Sequence, residues 1–590
     1  MIRFQRGDLI LRFITATFIV SISLVIILLI SSTLFLHHKT VVEIFSSYGR
    51  GIILLLLAVF IIQFLAKVFE YFAVGRKDYV RRQVIVLSVL LLIITFLSIF
   101  SFFLKTDNYN DILLGYIIPM FFISIVAFFT LVDLIRLFYI YPSILFVIVS
   151  IFLIIVVAVL LHLPISSATG EPIPLIDTFF VATSAISCTG LSTVSVGREL
   201  SLFGQIVLML AIQTGGLLII FISTVGILFG LLSGDAILKL RMASFFEMSS
   251  VVQTQNLILK FFALSFTSQI VVAMLIYPYF FEVERDEGKA IFYSLFHVVS
   301  ALNNAGFSTY DDSLVRFNNY PYFLMFLSYL ILLGNTGVIV VIEIFDYVVS
   351  RIKRFLNLIM HRKDLSVKGL SLFSKIVLIT HFTLIVFGTF SFFVFEGDHF
   401  LRQVKYPLID ALFNSISFRT AGFASFDFTQ AKDSTYLFFS LLMFIGGGSI
   451  SVAGGIKMNT VALFFIATIV LLKSYPYLYA MKREIDFYSL IKASAVFVGG
   501  VIILITGIFI LYEIIREERF SKIIFEITSA FGTVGTSSGI VSKDLSVPAK
   551  LVFIFMMFVG KIGLITFLSI LARKQQRNIG VFPKERIIVG

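Results

Sequence analysis

The sequence predicts an all-α polytopic membrane protein in which four tandem helix, pore-loop, helix repeats surround one pore, preceded by about four extra N-terminal transmembrane helices. Three observations predict it. The first is composition: of 590 residues, 59% are hydrophobic and 14% charged, with a mean hydropathy of +1.04, more apolar surface than a soluble core can use. The second is length, since uncharged stretches such as 13–36, 376–395 and 493–512 reach the roughly 20 residues that cross about 30 Å of hydrocarbon. The third is a repeat. Gly190, Gly306, Gly422 and Gly535 each follow an apolar segment too short to span, at intervals of 116, 116 and 113 residues. Unpaired backbone at membrane depth survives only where it lines something polar, either water or an ion.

Taken in order, hydropathy places helices near 9–36, 51–73, 84–104 and 111–139. The first follows Arg3, Arg6 and Arg12, but it exceeds the apolar core of a secretory signal and lacks a small-residue cleavage site, so a retained helix is expected. Residues 1–140 therefore form the extra helices. Four repeats follow, at 141–231, 257–349, 370–473 and 490–572, with a tail at 573–590. Their first helices fall near 141–163, 257–281, 371–395 and 491–515, and their second helices near 202–231, 322–349, 436–472 and 549–572.

Charge orients these elements. The linker after the second repeat carries Arg351, Lys353, Arg354, Arg362, Lys363 and Lys368 against Asp346 and Asp364, which marks it as cytoplasmic. The turn before the second short segment holds Glu282, Glu284, Asp286 and Glu287 against Arg285 and Lys289, and that before the first has Glu171 and Asp177 without Lys or Arg. The glycine loops are thus expected to enter from outside. Arg76, Lys77, Arg81 and Arg82, with Arg573, Lys574, Arg577, Lys584 and Arg586, put both termini inside. The net charge of +12 follows from the same rule and points to no nucleic acid. The single cysteine, Cys188, excludes an internal disulfide and a cysteine-only metal site.

Aligned on their glycines, the loops read Ser184-Ala-Ile-Ser-Cys-Thr-Gly-Leu-Ser192, Ser300-Ala-Leu-Asn-Asn-Ala-Gly-Phe-Ser308, Ile416-Ser-Phe-Arg-Thr-Ala-Gly-Phe-Ala424 and Ser529-Ala-Phe-Gly-Thr-Val-Gly-Thr-Ser537. Six residues before the glycine comes Ser in three repeats and Ile416 in the other. Four before it comes a bulky apolar residue (Ile186, Leu302, Phe418, Phe531), and ten before it Phe180, Phe296, Leu412 and Phe525. An apolar anchor, small residues and a strand ending in glycine suit a half-helix whose strand turns successive carbonyls toward an axis. Four such strands replace the water shell of a dehydrated cation, and the half-helix C-terminal ends aim negative partial charge at it. Small residues that merely ease helix packing account for one such loop as well, but not for four in register.

Asn303-Asn-Ala-Gly-Phe307, Arg419-Thr-Ala-Gly-Phe423 and Ser529-Ala-Phe-Gly-Thr-Val-Gly535 resemble the Trk/Ktr/HKT superfamily of potassium transporters, specifically the bacterial membrane subunit of the Trk and Ktr systems, over about 141–590. The resemblance implies four joined repeats around one pore in a bacterial inner membrane, a homodimer, and a separate cytoplasmic ring of nucleotide-binding regulatory domains. It implies potassium as the transported ion and no organic cofactor in this chain. The filter positions it implies are Cys188, Thr189 and Gly190; Asn304, Ala305 and Gly306; Thr420, Ala421 and Gly422; and Thr533, Val534 and Gly535. In the family, glycine at all four positions goes with potassium, and serine at the first with sodium-permeable members; here the first is Gly190. Cys188 stands as a threonine substitute that presents its carbonyl.

Each second helix holds a glycine cluster beginning 24 to 28 residues after its filter glycine: Gly215 and Gly216, Gly334 and Gly337, Gly446 to Gly448, Gly560 and Gly563. In the third repeat it expands to Gly446-Gly-Gly-Ser-Ile-Ser-Val-Ala-Gly-Gly-Ile-Lys457. At about 1 kcal/mol per glycine relative to alanine, a helix breaks there. A polar loop below the filter can obstruct the pore and move aside. The resemblance implies that gate role for Gly446, Gly447, Gly448, Ser449, Gly454, Gly455 and Lys457. Phosphate binding is rejected, since no strand precedes the glycines and no Gly-Lys-Ser/Thr follows.

Lys561 lies between uncharged runs, about 18 Å along the helix from Arg573 at 1.5 Å per residue, and a charge inside a membrane segment is functional by default. The family usually has arginine there, facing the pore, and lysine loses its planar fork. Arg419 reads as an anchor tying its loop to carbonyls or carboxylates. His381 reads as a packing histidine and Glu343 as an interface carboxylate. Residues 1–140 exceed the shorter members of the family, which supply no role for them. Nothing combines a strand, Gly-x-Gly-x-x-Gly and a helix, and the basic stretches at 232–256, 351–368 and 473–486 and the C-terminus are the candidate contacts for a regulatory ring. An ion-coupled secondary transporter, driven by sodium or protons, is the alternative; it predicts inverted repeats and midplane carboxylates, whereas these repeats run parallel. A membrane enzyme finds no catalytic constellation of His, Asp or Ser.

Overall fold

The computed structural model describes residues 142–232, 251–359, 369–475 and 477–563, referred to here as segments one to four. The helices expected within 1–140, the linker stretches 233–250 and 360–368, the end of the last expected helix at 564–572 and the tail 573–590 lie outside the described residues.

Segment one contains α1 (Pro142–His162), α2 (Leu175–Ser187) and α3 (Leu202–Leu232). Segment two contains α4 (Val251–Glu284), α5 (Glu287–Leu302), α6 (Pro321–Thr336) and α7 (Val338–Ile359). Segment three contains α8 (Leu372–Gln403), α9 (Pro407–Ser417), α10 (Asp433–Phe444) and α11 (Met458–Leu472). Segment four opens on a small hairpin, β1 (Tyr479–Ala480) paired antiparallel with β2 (Arg483–Glu484), then α12 (Phe487–Ile514), α13 (Phe520–Gly532) and α14 (Val547–Ile562).

Local chemistry sets where these helices start. Asp286, Ser371 and Asp486 accept the N–H of Lys289, Ser374 and Tyr488 through their side chains, the usual N-cap bond. Proline opens α6, α9 and α14, where its missing N–H costs nothing. Among the described residues, three helical stretches, within α4, α8 and α12, are long and apolar enough to cross a membrane, and α6 with α7 makes a fourth if the bent pair counts as one span. The short helices α2, α5, α9 and α13 have 13, 16, 11 and 13 residues, only about 17–24 Å at 1.5 Å per residue.

Each short helix packs on a later helix of its neighbour: α2 on α14, α5 on α3, α9 on α6 and α13 on α10. That order closes on itself. Within segments one, two and four a glycine makes room for the end of the short helix. A Cβ on Gly215, Gly334 or Gly560 would strike the carbonyl oxygen of Ile186, Leu302 or Phe531, the bulky position four residues before each loop glycine. Around these contacts lies an aromatic core; in segment two Phe317 and Phe323 stack at 4.4 Å, with Phe280 edge-on to both.

Two breaks interrupt the later helices. The expected helix 436–472 is broken between Phe444 and Met458, as its glycines require. The helix expected to run unbroken over 322–349 is not continuous: α6 and α7 meet at 114°. Gly337 adopts φ +99 and ψ 141, an extended left-handed conformation open to glycine and very costly for other residues. The helix expected over 549–572 is described to Ile562, where Gly563 at φ +82 caps it.

Candidate ion site

The four loop strands share one backbone pattern. Two residues before each glycine, Cys188, Asn304, Thr420 and Thr533 have φ of 53, 50, 80 and 51, and the glycines themselves have φ of 101, 67, 77 and 96. The intervening Thr189, Ala305, Ala421 and Val534 have ordinary negative φ. Alternating hand turns successive N–H groups to one side of a strand and successive carbonyls to the other. The N–H side is occupied by the strand's own short helix: Thr189, Ala305 and Val534 donate to the carbonyls of Ser184, Ser300 and Ser529, each at 2.8 Å. Gly190 and Gly535 donate to the hydroxyls of Ser184 and Ser529 at 2.9 and 3.0 Å.

The third strand corrects the sequence alignment. Ala421 and Gly422 donate to the carbonyl of Ser417, at 2.8 and 3.3 Å, so the place of Ser184, Ser300 and Ser529 belongs to Ser417 and not to Ile416. The slip of one residue carries up the helix. Phe413, fully buried, takes the place assigned to Leu412 and matches Phe180, Phe296 and Phe525, which are also fully buried. The loop is one residue shorter here, and Arg419 stands at its start.

The strands meet. A Cβ on Gly190 would strike the carbonyl oxygen of Ala305; one on Gly306 would lie 2.7 Å from that of Ala421 and 2.9 Å from Cα of Gly422; one on Gly422 would strike that of Val534; and one on Gly535 would strike that of Thr189. The order 190, 306, 422, 535 and back to 190 is a closed ring of four backbones at van der Waals distance. Only a residue without a side chain fits at each corner.

The glycine-rich loop 445–457, itself the break in segment three, lies against this ring, the break in segment two and the end of α14. Gly454 donates its N–H to Thr533 Oγ1 at 3.0 Å, and Gly455 to the carbonyl of Gly560 at 3.2 Å. Gly448 donates to the carbonyl of Asn335 at 2.9 Å, Val452 to that of Gly334 at 3.3 Å, and Val338 in turn to that of Ile450 at 3.0 Å. Gly446 donates to the carbonyl of Ile456 at 2.8 Å, a Cβ on Gly447 would strike Asn335 Oδ1, and the Ser449 hydroxyl accepts from Asn459 Nδ2 at 3.0 Å. Lys561 reaches the loop with a single bond, Nζ to the carbonyl of Val452 at 2.7 Å, beside the Cys188 thiol. Lys457 turns back to the carbonyl of Ala453 within its own loop.

Arg419 is fully buried. Its guanidinium bonds to His381, through Nε2 at 2.6 Å and the main-chain carbonyl at 3.4 Å, and lies 3.6 Å from Met458 Sδ. It is thus anchored to carbonyl and imidazole rather than to a carboxylate, and His381 is its partner rather than mere packing. Glu343 caps α8, accepting from Ser371 N and Oγ and from Ser374 Oγ. Cys188 is buried, with Sγ 3.8 Å from the carbonyl of Ile212.

Sequence reasoning missed three features. Asn335 donates from Nδ2 to the carbonyl of Arg419; the pair Gly334 and Gly337 around it was the available signal. Glu526, fully buried on α13, accepts from Ser537, Ser538 and Ile540 and so fixes the turn after the fourth strand. Asp177 and Lys550, each 4% exposed, pair at 2.7 Å between α2 and α14. Among the described residues no group of His, Cys, Asp and Glu is arranged to hold a metal ion.

The chain is similar to the Ktr system potassium uptake protein B of Bacillus subtilis, 34% identical over 440 residues that cover 74% of this chain and 94% of the relative. It is similar to the protein of the same name from Vibrio alginolyticus, 33% identical over 441 residues covering 73% and 91%. Its fold resembles that in the crystal structure of the potassium transporter TrkH from Vibrio parahaemolyticus, with a TM-score of 0.55 at 17% identity over 83% of this chain and 99% of the other. The model of the TrkH family, described as cation transport protein, matches residues 117–579, and the chain belongs to that family.

Proposed function

We propose that this protein carries potassium into the cell through a channel-like pore formed by four tandem repeats, the segments described above. The closed ring of four glycine strands is the observation that carries the reading. With the N–H groups held by the short helices, the carbonyls of Cys188, Thr189 and Gly190, of Asn304, Ala305 and Gly306, of Thr420, Ala421 and Gly422, and of Thr533, Val534 and Gly535 face the axis as a selectivity filter. There they stand in for the hydration shell of potassium. The membrane potential drives uptake, at about 2.3 kcal/mol per charge per 100 mV.

The loop 446–457 is the gate, held shut by its bonds to Thr533, Asn335, Gly560 and Lys561. In this reading the filter opens to the outside, the termini and basic linkers are cytoplasmic, two copies pair in the membrane, and a cytoplasmic nucleotide-binding ring moves the gate. The names of the relatives, potassium uptake proteins and a potassium transporter, support the choice of ion.

Flux into liposomes of the purified protein tests the reading. The native protein is expected to prefer potassium over sodium, and Gly190→Ser to reduce that preference about tenfold, equivalent to 1.4 kcal/mol of discrimination. An unchanged preference in Gly190→Ser would overturn the filter assignment.

A further inference from the structure

Besides the bond of Gly454 to Thr533, the loop and the strands share a further side chain that neither role accounts for. We propose that Asn335 is a positioning residue that ties the third strand to the glycine-rich loop, so that the ion held by the strands sets how far the loop is displaced. The inference rests on the pore reading above.

Asn335 is fully buried in the last turn of α6, immediately before the 114° break. Its Nδ2 donates to the carbonyl of Arg419, the residue next to Thr420 in the third strand. Its own carbonyl accepts the N–H of Gly448 at 2.9 Å. Its Oδ1 has no hydrogen-bond partner and packs on the loop, where a Cβ on Gly447 would strike it, so the one amide bonds the strand and touches the loop. The seat around it is specific. Gly334 accepts from Val452, Val338 donates to Ile450, and a Cβ on Gly337 would lie 2.6 Å from the carbonyl oxygen of Ser449.

A second path runs from the same strand residue to the other end of the loop. The Arg419 guanidinium lies on Met458 Sδ, and the Met458 N–H donates to the carbonyl of Gly447 at 3.0 Å. That second path is the weaker, because the long Arg419 side chain absorbs a shift of its peptide before it reaches Met458, whereas Asn335 bonds the Arg419 carbonyl directly. Both contacts are made at helix ends that flank the two breaks, and packed elements of this kind exchange between discrete arrangements rather than deforming continuously. Coupling of this kind is reciprocal: an ion that favours one strand conformation favours one loop position, and the converse.

The experiment reads loop exposure as a function of the ion. Ser449, half-buried on the loop, is replaced in Ser449→Cys, and its reaction with a water-soluble thiol reagent is timed in potassium, in sodium and in N-methylglucamine. The unsubstituted protein, whose Cys188 is 1% exposed, serves as the blank. The expected rate differs by about fivefold between potassium and N-methylglucamine, and adding Asn335→Leu removes that difference. Asn335→Ser, too short to reach the Arg419 carbonyl, is expected to do the same if the leucine variant fails to fold.

A residue with a merely structural role would lower thermal stability and leave the ion dependence intact. The proposal is overturned if Ser449→Cys reacts equally in all three ions, or if the dependence survives the substitution at Asn335. The two readings fail separately. An unchanged ion preference in Gly190→Ser removes the pore reading, whereas a changed one with an ion dependence that survives at Asn335 removes only the coupling.

Discussion

Asp177 and Lys550 are each 4% exposed and 2.7 Å apart, and Lys550 also donates to the carbonyl of Lys543 at 2.9 Å. Removing one partner of a buried pair leaves an uncompensated charge, at a cost of about 3–5 kcal/mol, whereas replacing both with apolar groups is often neutral. Lys550→Met is therefore expected to lower the unfolding temperature in detergent markedly, and Lys550→Met combined with Asp177→Leu to restore most of it; additive losses would contradict the pairing. Ser529 makes a different kind of contact. Its hydroxyl accepts from Gly535 N–H at 3.0 Å and donates to the Thr536 carbonyl at 2.8 Å. Ser529→Ala orphans both groups, at about 1–3 kcal/mol each by the cost of an unmade buried bond. The expected outcome is a lower unfolding temperature together with loosened ion preference, and an unchanged preference would show that the hydroxyl does not hold the strand. At this scale the sequence was legible where a residue type is forced, as at the four glycines. It was silent where partners are far apart along the chain: nothing local to Asp177 points to Lys550, and nothing near Arg419 points to His381.

Elements were more legible than residues, because apolar length and short-helix spacing are properties of the chain alone. Both helices of the third break were expected from Gly446 to Gly455, and the structure places α10 and α11 on either side. The break in segment two was not expected, since Gly334 and Gly337 resemble the packing glycines at 215 and 560. Gly334 does pack, against Leu302, but Gly337 at φ +99 forms the seat for the glycine-rich loop. The one-residue slip at Ser417 was hidden for a related reason: Ile416-Ser417-Phe418 offers small and bulky residues in either register, and only the hydrogen bonds to Ala421 and Gly422 choose. Gly337→Ala forces a Cβ into positive φ, at about 1–2 kcal/mol, and into the Ser449 carbonyl. If that strain falls on the seated loop, potassium flux without any regulator rises about tenfold, by the equivalence of 1.4 kcal/mol to a factor of ten. Flux equal to that of the native protein would show that the segment-two break does not seat the gate.

At the scale of the whole molecule, the same cyclic order appears at three levels. Short helices pack on neighbouring later helices in the order that closes segment four onto segment one, and the glycine strands meet in that order. So do the loops beyond them: Arg198 with Asp311, Leu314 with Ala424, Ser521 with Asp433, and Lys543 with Glu199. The charged loop pairs are exposed and each contributes little, about 0–1 kcal/mol. Lys543→Ala is therefore expected to leave the unfolding temperature nearly unchanged, in contrast to Lys550→Met, and a comparable loss would relocate the closure from the buried pair to the surface. The regular spacing of 116, 116 and 113 residues made four equivalent strands legible. It could not show which strand adjoins which, because adjacency is fixed by packing between segments.

The central claim is that main-chain oxygens of these four strands hold a desolvated alkali cation. Rubidium or thallium soaked into the purified protein in place of potassium, and located by its anomalous scattering, tests this most directly. The account predicts density on the axis enclosed by the carbonyls from Thr189 to Gly190, Ala305 to Gly306, Ala421 to Gly422 and Val534 to Gly535. Density confined to other sites, with side chains or lipid filling the space between the four glycines, would contradict it.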